Sequence, residues 1–414
     1  MTQEPGAPVA APNLARHTLR HADGRALYVY GALLGGLPGE SDTAPAGHDV
    51  ALHQRLDLLT GEWVAISPAR NTRPQTSADA PSAATPVGGC PLCPGGPEVP
   101  FGYRAAVFDN RFPSLTVAPP RPPDGDLVAP SRGRCEVVLY SDHHVGSLAT
   151  LSPAQVATVV AVWRDRSRAL WSDHRTAYVL VFENRGEAVG ATLSHPHGQI
   201  YAFDRIPPSI RGKLGVLADH RDRHRGCLTC QVVERDDAAS ERAVTRNASF
   251  SVSVPFAPRW PYEVHIRARR HGAHRLGDLT AAEQVDLAAA LQEVVQRYDA
   301  LFGFELPYMM VAQEAPGDRD GAPWDDWHLA FELLPPHRSS TQLKVRASVE
   351  TATGLFINDT VPEASAAALA TSGVTPSQWD GVAAPRITPA GDEGSGHAGL
   401  DRGVPGLAGG TGGP

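Results

Sequence analysis

Residues 136–144 read Glu-Val-Val-Leu-Tyr-Ser-Asp-His-His, and residues 263–271 read Glu-Val-His-Ile-Arg-Ala-Arg-Arg-His. Each is a strand-like run that opens on glutamate and closes on a histidine eight residues later. Outward from this pair the same landmarks recur in the same order. Upstream stands a CxxC pair, Cys90/Cys93 in the first half and Cys227/Cys230 in the second, followed by Asn110 and Phe112 or by Asn247 and Phe250. Downstream, Ser152-Pro153-Ala154-Gln155 and Thr280-Ala281-Ala282-Glu283 each fit a capping box that starts a helix, the first with proline at the opening helical position.

Behind the caps, Val156, Val159, Val160 and Trp163 recur at helical spacing, as do Leu287, Leu291, Val294, Val295 and Tyr298. These are core-facing stripes. Each helix leads to an apolar strand, residues 178–182 or 308–311, and then through a polar turn to a histidine strand, residues 193–197 or 327–331. A unit of CxxC, strand, histidine, capped helix, strand and histidine strand, used twice, predicts an α+β fold of two tandem domains, each an antiparallel sheet with a packed helix. The boundaries read as an N-terminal tail and lead-in over 1–47, a first domain over 48–205, a second over 206–380 and a Gly/Pro-rich tail over 381–414. Residues 77–89 and 118–133 read as exposed loops.

A chain of 414 residues can build two cores without metal or disulfide, so any metal has another purpose. The net charge of −8, with no run of five like charges, argues against a nucleic-acid surface or a membrane-attracted tail. A small anionic substrate needs only a few local arginines. Of the 37 basic residues only Lys213 and Lys344 are lysines, a bias ascribed to genomic composition. There is no apolar run of roughly 18 residues and no signal-like start, which predicts a cytoplasmic protein. In a reducing compartment the two CxxC pairs read as metal or redox chemistry before disulfide, with Cys135 left over.

Two cysteines with two histidines complete a tetrahedral zinc shell. Cys90, Cys93, His144 and His195 supply one, and Cys227, Cys230, His271 and His328 the second. The competing readings are buried thiols or a redox couple. A redox pair normally opens a helix, whereas Cys90-Pro91-Leu92-Cys93-Pro94-Gly95 has the turn chemistry of a metal knuckle. His143 competes with His144, and the eight-residue match to His271 favours His144. His174, His220 and His224 stand among charged residues and read as solvated.

In the stretch Ser194-His195-Pro196-His197-Gly198-Gln199 the two histidines are two apart, which in a strand puts both on one face. With His195 anchored on zinc and Pro196 narrowing the backbone, His197 is rigidly placed. A neutral imidazole can attack phosphorus and later leave, which makes His197 a candidate nucleophile. Gly198 would let substrate approach the backbone, and Gln199 can donate to a phosphoryl oxygen without titrating. The other reading has both histidines on metal, or His197 as a satisfied polar residue. Against it, the position two after His328 is Ala330, so the scaffold tolerates losing the second histidine and one active centre per chain is expected.

The motif His195-Pro196-His197-Gly198-Gln199 resembles the active-site motif of the galactose-1-phosphate uridylyltransferase family, a branch of the histidine-triad superfamily whose hydrolases carry a third histidine where Gln199 stands. The likeness extends over residues 50–375 through Thr60-Gly61-Glu62-Trp63, Ser67-Pro68-Ala69-Arg70-Asn71-Thr72-Arg73, Phe108-Asp109-Asn110, Phe182-Glu183-Asn184-Arg185-Gly186, Pro261-Tyr262-Glu263 and Gly354-Leu355-Phe356-Ile357-Asn358-Asp359. The resemblance implies a zinc enzyme, a homodimer, and ping-pong exchange. His197 attacks the α-phosphorus of UDP-glucose, releases glucose 1-phosphate, and holds a uridylyl group until galactose 1-phosphate takes it. By motif position Gln199 binds phosphoryl oxygens, and Arg70 and Arg73 approach the phosphates from a neighbouring subunit, where the residues alone allow exposed arginines. Asn110 and Phe112 face uridine; Asn184, Gly190, Ala191 and Thr192 line the phosphate side; Lys344, Val345 and Glu350 line the sugar side.

One departure stands out. Family members carry a second metal on one glutamate and three histidines, and the matching positions here, Lys213, Gln313, Ala330 and Glu332, cannot form it. The Cys227/Cys230/His271/His328 set resembles instead the second zinc of a plant relative that acts as an ADP-glucose phosphorylase. The alternative functions are therefore a nucleotide-sugar phosphorylase or dinucleoside polyphosphate hydrolase using His197, and a zinc-stabilised nucleotide-binding module.

Overall fold

The computed structural model describes residues 11–33, 51–72, 89–317 and 324–390. Its strands are β1 (Asn13–Arg20), β2 (Ala26–Tyr30), β3 (His53–Leu56), β4 (Trp63–Ile66), β5 (Ala105–Asp109), β6 (Val128–Pro130), β7 (Gly133–Leu139), β8 (Tyr178–Arg185) and β9 (His197–Phe203) in the first half. The second half adds β10 (Ala243–Arg246), β11 (Phe250–Ser253), β12 (Val264–Ala268), β13 (Tyr308–Gln313), β14 (Ala330–Leu334) and β15 (Arg386–Pro389). Helices are α1 (Pro153–Trp171), α2 (Pro208–His224), α3 (Leu228–Ala238), α4 (Ala281–Phe302), α5 (Ser348–Thr353) and α6 (Pro362–Ala370).

Twelve strands form one sheet in the order β10-β11-β12-β14-β13-β8-β9-β7-β5-β2-β1-β15. Its centre is the antiparallel pair β8/β13, in register through Met309↔Asn184 and Met310↔Glu183. Outward from that seam the chain order is the same on both sides, β8-β9-β7-β5 and β13-β14-β12-β11, so the duplicated unit is present and a two-fold rotation at the seam relates the copies. The two units share one sheet and one core. Because β8 and β13 run antiparallel, the histidine strands β9 and β14 begin at opposite ends of it. Composition left 13–30 and 386–389 in the lead-in and tail, yet they supply β1, β2 and β15, with β1 pairing β15 in parallel and β2 pairing β5. A smaller sheet, β4-β3-β6, lies apart, and its β6 comes from within the proline-rich loop 118–133.

Both capped helices form where the sequence places them, but the caps differ. In α4 the box closes both ways: Glu283 N–H donates to Thr280 Oγ1 at 3.2 Å, and Thr280 N–H to Glu283 Oε2 at 2.8 Å. In α1 Ser152 Oγ accepts from Gln155 N–H at 3.3 Å, but the Gln155 amide turns away to the carbonyls of Arg104 and Tyr140, at 2.7 and 2.6 Å. The two apolar stripes are fully buried against the sheet. At about 1.5–3 kcal/mol for each large side chain, this burial is what drives the two halves together. Trp163 of α1 stacks on Phe331 of β14 at 6.0 Å, and Gln292 of α4 donates to the carbonyls of Leu148 and Leu151 at 3.0 and 2.7 Å. Helices α2 and α3 were not foreseen from the sequence. Among the described residues no helix is long and apolar enough to cross a membrane.

Strand β9 sets the two faces. Gly198, Ile200 and Ala202 are buried in the core, while His197, Gln199, Tyr201 and Phe203 line the other face and are half-buried.

Candidate active site and metal centres

At the β9 end of the sheet, the metal-binding atoms of Cys90, Cys93, His144 and His195 lie within 4.8 Å of one another, and all four residues are buried. Donors on a common tetrahedral ion stand about 3.4–3.8 Å apart. Here Cys93 Sγ is 3.3 Å from His144 Nδ1 and 3.6 Å from His195 Nδ1. The other nitrogen of His195 donates to the carbonyl of Ser141 at 2.8 Å, the support a ligating imidazole needs to fix its orientation. Burial lowers His195 to about 4, so its ring is neutral, as a ligand must be. Burial and the neighbouring Cys90 push the Cys93 thiol up to about 11. His143 is exposed and bonds Asp142 and Ser141, and it is His144 that stands in the cluster able to hold a metal.

The second set, Cys227, Cys230, His271 and His328, also lies within 4.8 Å and repeats the design at the opposite end. His328 Nε2 stands 3.5 Å from Cys227 Sγ, 3.4 Å from Cys230 Sγ and 3.4 Å from His271 Nδ1. Its Nδ1–H donates to the carbonyl of Ala268 at 2.8 Å. Ser141 and Ala268 each precede a histidine ligand by three residues, so even this support is duplicated. The knuckles differ. Cys227 is the N-cap of α3 and accepts from Cys230 N–H at 3.3 Å, the helix-start position associated with redox pairs, yet it faces two imidazoles. This set is also more open: His271 is exposed and only His328 is buried. Of the histidines read as solvated, His174 and His224 are exposed, and His220 is half-buried against His224 with ring centres 4.6 Å apart.

His195 stands in a bend just before β9, so the two histidines do not share a strand face. They are joined through the backbone. His197 Nδ1–H donates to the His195 carbonyl at 2.7 Å, which fixes the tautomer and leaves the Nε2 lone pair unengaged. Burial lowers its pKa, which keeps the ring neutral. Gly198 does not face substrate. A Cβ there would collide with Tyr140 Oη, inside the core. That hydroxyl donates to Glu183 Oε2 at 3.0 Å, and Tyr308 donates to Glu183 Oε1 at 2.9 Å. Burial pushes the Glu183 carboxyl up to about 7. A carboxyl held by two tyrosines thus packs beneath the His197 end of β9, a grouping that residue spacing does not reveal.

On the open face, Asn110 Nδ2 stands 3.5 Å from Gln199 Oε1, and Asn110 Oδ1 accepts from Phe112 N–H at 2.8 Å. Arg70, carried on the short helical turn after β4, donates to the Phe112 carbonyl and the Tyr201 hydroxyl, both at 3.3 Å. Arg70, Asn110, Phe112, Gln199 and Tyr201 thus meet within one chain. Arg73 lies outside the described residues. Asn184 follows Phe182, which pairs Gln199, by two positions and so shares its face at the His197 end. Gly190, Ala191 and Thr192 lie in the turn that leads from β8 to His195; Gly190 has φ +80° and the Ala191 N–H bonds the Gly186 carbonyl at 3.2 Å.

Lys344 and Glu350 form a separate group. The Lys344 ammonium bonds Glu350 Oε1 at 2.7 Å and the Ile357 carbonyl, under the Trp260 ring, while Val345 is exposed. Lys344 N–H bonds the Pro336 carbonyl just past β14, whose Leu334 shares a row with Met309 and Asn184. The group therefore lies at the His197 end, three strand spacings or about 14 Å away. The other lysine, Lys213 of α2, bonds Gln313 and, at 2.9 Å, Glu332. Both lysines of the chain thus sit in carboxylate pairs.

Residues 41–207 match the N-terminal domain of galactose-1-phosphate uridyl transferase, and residues 214–369 its C-terminal domain. The galactose-1-phosphate uridylyltransferase of Thermotoga maritima is 40% identical over 317 residues, which cover 75% of this chain and 96% of that protein. A solved uridylyltransferase structure aligns over 78% of this chain and 98% of its own at 34% identity, with a TM-score of 0.68. An ADP-glucose phosphorylase from Arabidopsis thaliana shares the fold at 24% identity and a TM-score of 0.59, covering 78% of this chain and 99% of its own.

Proposed function

The chain belongs to the galactose-1-phosphate uridyl transferase family, and from that premise we propose that it exchanges UMP between UDP-glucose and galactose 1-phosphate through a uridylyl-imidazole on His197. The observation that carries this reading is the 2.7 Å bond from His197 Nδ1–H to the His195 carbonyl, which leaves Nε2 as the free nucleophilic atom. Nε2 attacks the α-phosphorus, the bond to the glucose 1-phosphate oxygen breaks, and that product leaves. Positive charge then developing on the ring is stabilised by the His195 carbonyl. A phosphate oxygen of galactose 1-phosphate attacks the same phosphorus from the vacated side, UDP-galactose leaves, and His197 regains its lone pair.

Gln199, held by Asn110, donates to the phosphoryl oxygens, and Arg70 adds positive charge beside Tyr201. Asn110 and Phe112 take the uridine, Asn184 with Gly190, Ala191 and Thr192 the phosphate side, and Lys344, Val345 and Glu350 the sugar. Arg73, three residues on from Arg70, joins the phosphates, and the enzyme acts as a homodimer in the cytoplasm. Residues 48–205 form the catalytic unit and 206–380 the second unit. The donor sets suit zinc, held by Cys90, Cys93, His144 and His195 and by Cys227, Cys230, His271 and His328. Zinc supplies a rigid, redox-inert anchor, and in the first set the residue it anchors, His195, is the one whose carbonyl orients the nucleophile.

Offering the enzyme UDP-glucose alone should release glucose 1-phosphate in an amount equal to the enzyme, with turnover beginning only when galactose 1-phosphate is added. Steady release with water or inorganic phosphate as acceptor would overturn the transferase reading in favour of a hydrolase or phosphorylase.

A further inference from the structure

A cavity of about 580 Å³ opens beside α1, well away from His197, between the outer flank of α1, the first turn of α4 and the edge strands β1 and β15. Among the described residues, Arg16, Arg164, Arg168 and Arg386 line it, with Asp165 as the single acid. Asp165 is already engaged: Arg16 grips both its oxygens at 2.9 Å and Tyr30 donates to it at 2.8 Å. Four arginines against one aspartate leave a local charge of +3 in a protein whose net charge is −8.

Arg164 is the most exacting member. It is half-buried, and its Nε is a buried donor without a hydrogen-bond partner. Burial and the neighbouring Arg168 lower its pKa, so an anion between the two would relieve both costs. Of the further acids nearby, Asp278 accepts the backbone N–H groups of His274 and Arg275, and Glu283 accepts from Thr280 N–H and from Arg270. Thr280 and Ala281, which open the 22-residue α4, form a wall of the cavity at a helix start already capped by Glu283.

Arginine forks match the oxygens of phosphate better than a single carboxylate, and the cavity exceeds one phosphate ion, with Ala161, Leu279 and Ile387 as an apolar floor. Two of its walls, β1 and β15, fall outside the residues that match the family's two domains. From these observations we propose that this cavity binds a phosphate ester, a nucleotide or sugar phosphate, at a second site distinct from the one around His197.

The test is hydrogen exchange read by mass spectrometry on the full chain, with AMP, glucose 1-phosphate or citrate added separately. Ligand in the cavity protects segments 161–169 and 279–284; ligand at His197 protects 184–199. The expected result is cavity protection by at least one of the two phosphate esters and not by citrate. Arg164→Gln with Arg168→Gln should weaken that protection about tenfold or more in apparent Kd while the transferase rate is unchanged. Both side chains lie on the outer flank of α1, and Arg386→Gln serves as a second variant if the first melts early. Protection confined to 184–199, equal protection by citrate, or cavity protection that survives the substitutions would overturn the proposal.

Discussion

The two ends of the sheet were built to one plan and then diverged. At the β9 end a buried Cys₂His₂ set leads into His195-Pro196-His197; at the β14 end a more open set leads into His328-Leu329-Ala330. Counting from the anchoring histidine, Gly198 at one end corresponds to Phe331 at the other. Phe331 fills its own core space and stacks on Trp163, whereas Gly198 yields that space to Tyr140, which reaches Glu183. On the open face the β14 end holds a closed Lys213–Glu332–Gln313 group. On the proposed reading, a Cys₂His₂ knuckle and its carbonyl support make a frame, and the frame becomes a reactive centre only where a second imidazole hangs from the anchor's carbonyl.

The largest expected effect is at that imidazole. His197→Ala should lower transferase kcat by about 10⁴-fold or more with both metal sets still occupied, and Ala330→His should create no second reactive centre. A uridylylated Ala330→His chain carrying two groups would show that Lys213, Glu332 and Gln313 do not close the β14 face to substrate. Next is the metal content. Two zinc ions per chain are expected by elemental analysis, with a chelator stripping the exposed Cys227 set before the buried Cys90 set, and Cys90→Ser destabilising more than Cys227→Ser. One zinc per chain would contradict the presence of two metal frames, and the reverse order of release would contradict the difference in their burial.

Glu183 has a counterpart in pH dependence. Folded, it keeps its proton up to about 7; unfolded, it releases it near 4.5, so the folded chain binds more protons between these values. Its stabilising contribution is complete below the lower value and declines as pH rises through the upper one, by roughly 2 kcal/mol between about pH 5.5 and 7. Urea unfolding of Glu183→Gln should show that slope removed, and an unaltered slope would sink the assignment. A smaller effect is expected for Gly198→Ala, which drives a methyl group into Tyr140 and should cost about 1–3 kcal/mol with reduced kcat.

Much of this was legible in the sequence because spacing reports on backbone geometry. The eight-residue interval picked His144 over His143, and the helical stripes and caps located α1 and α4. The shared sheet was not legible: short strands carry no sign of their partner, and the β8/β13 seam joins residues far apart in the chain. The role of Gly198 was not legible, because a glycine next to a candidate nucleophile looks like access and only the opposite face of β9 reveals Tyr140. The edge strands β1 and β15 escaped notice because Pro- and Gly-rich flanks mask them.

The central claim is that the chain carries one nucleophile, at the β9 end. It is tested most directly by intact-protein mass spectrometry after mixing with UDP-glucose in the absence of a sugar phosphate acceptor. The account predicts a mass increase of one uridylyl group per chain, mapped to the peptide that contains His197 and absent in His197→Ala. An unmodified wild-type chain under these conditions, or an adduct that persists in His197→Ala, would contradict it.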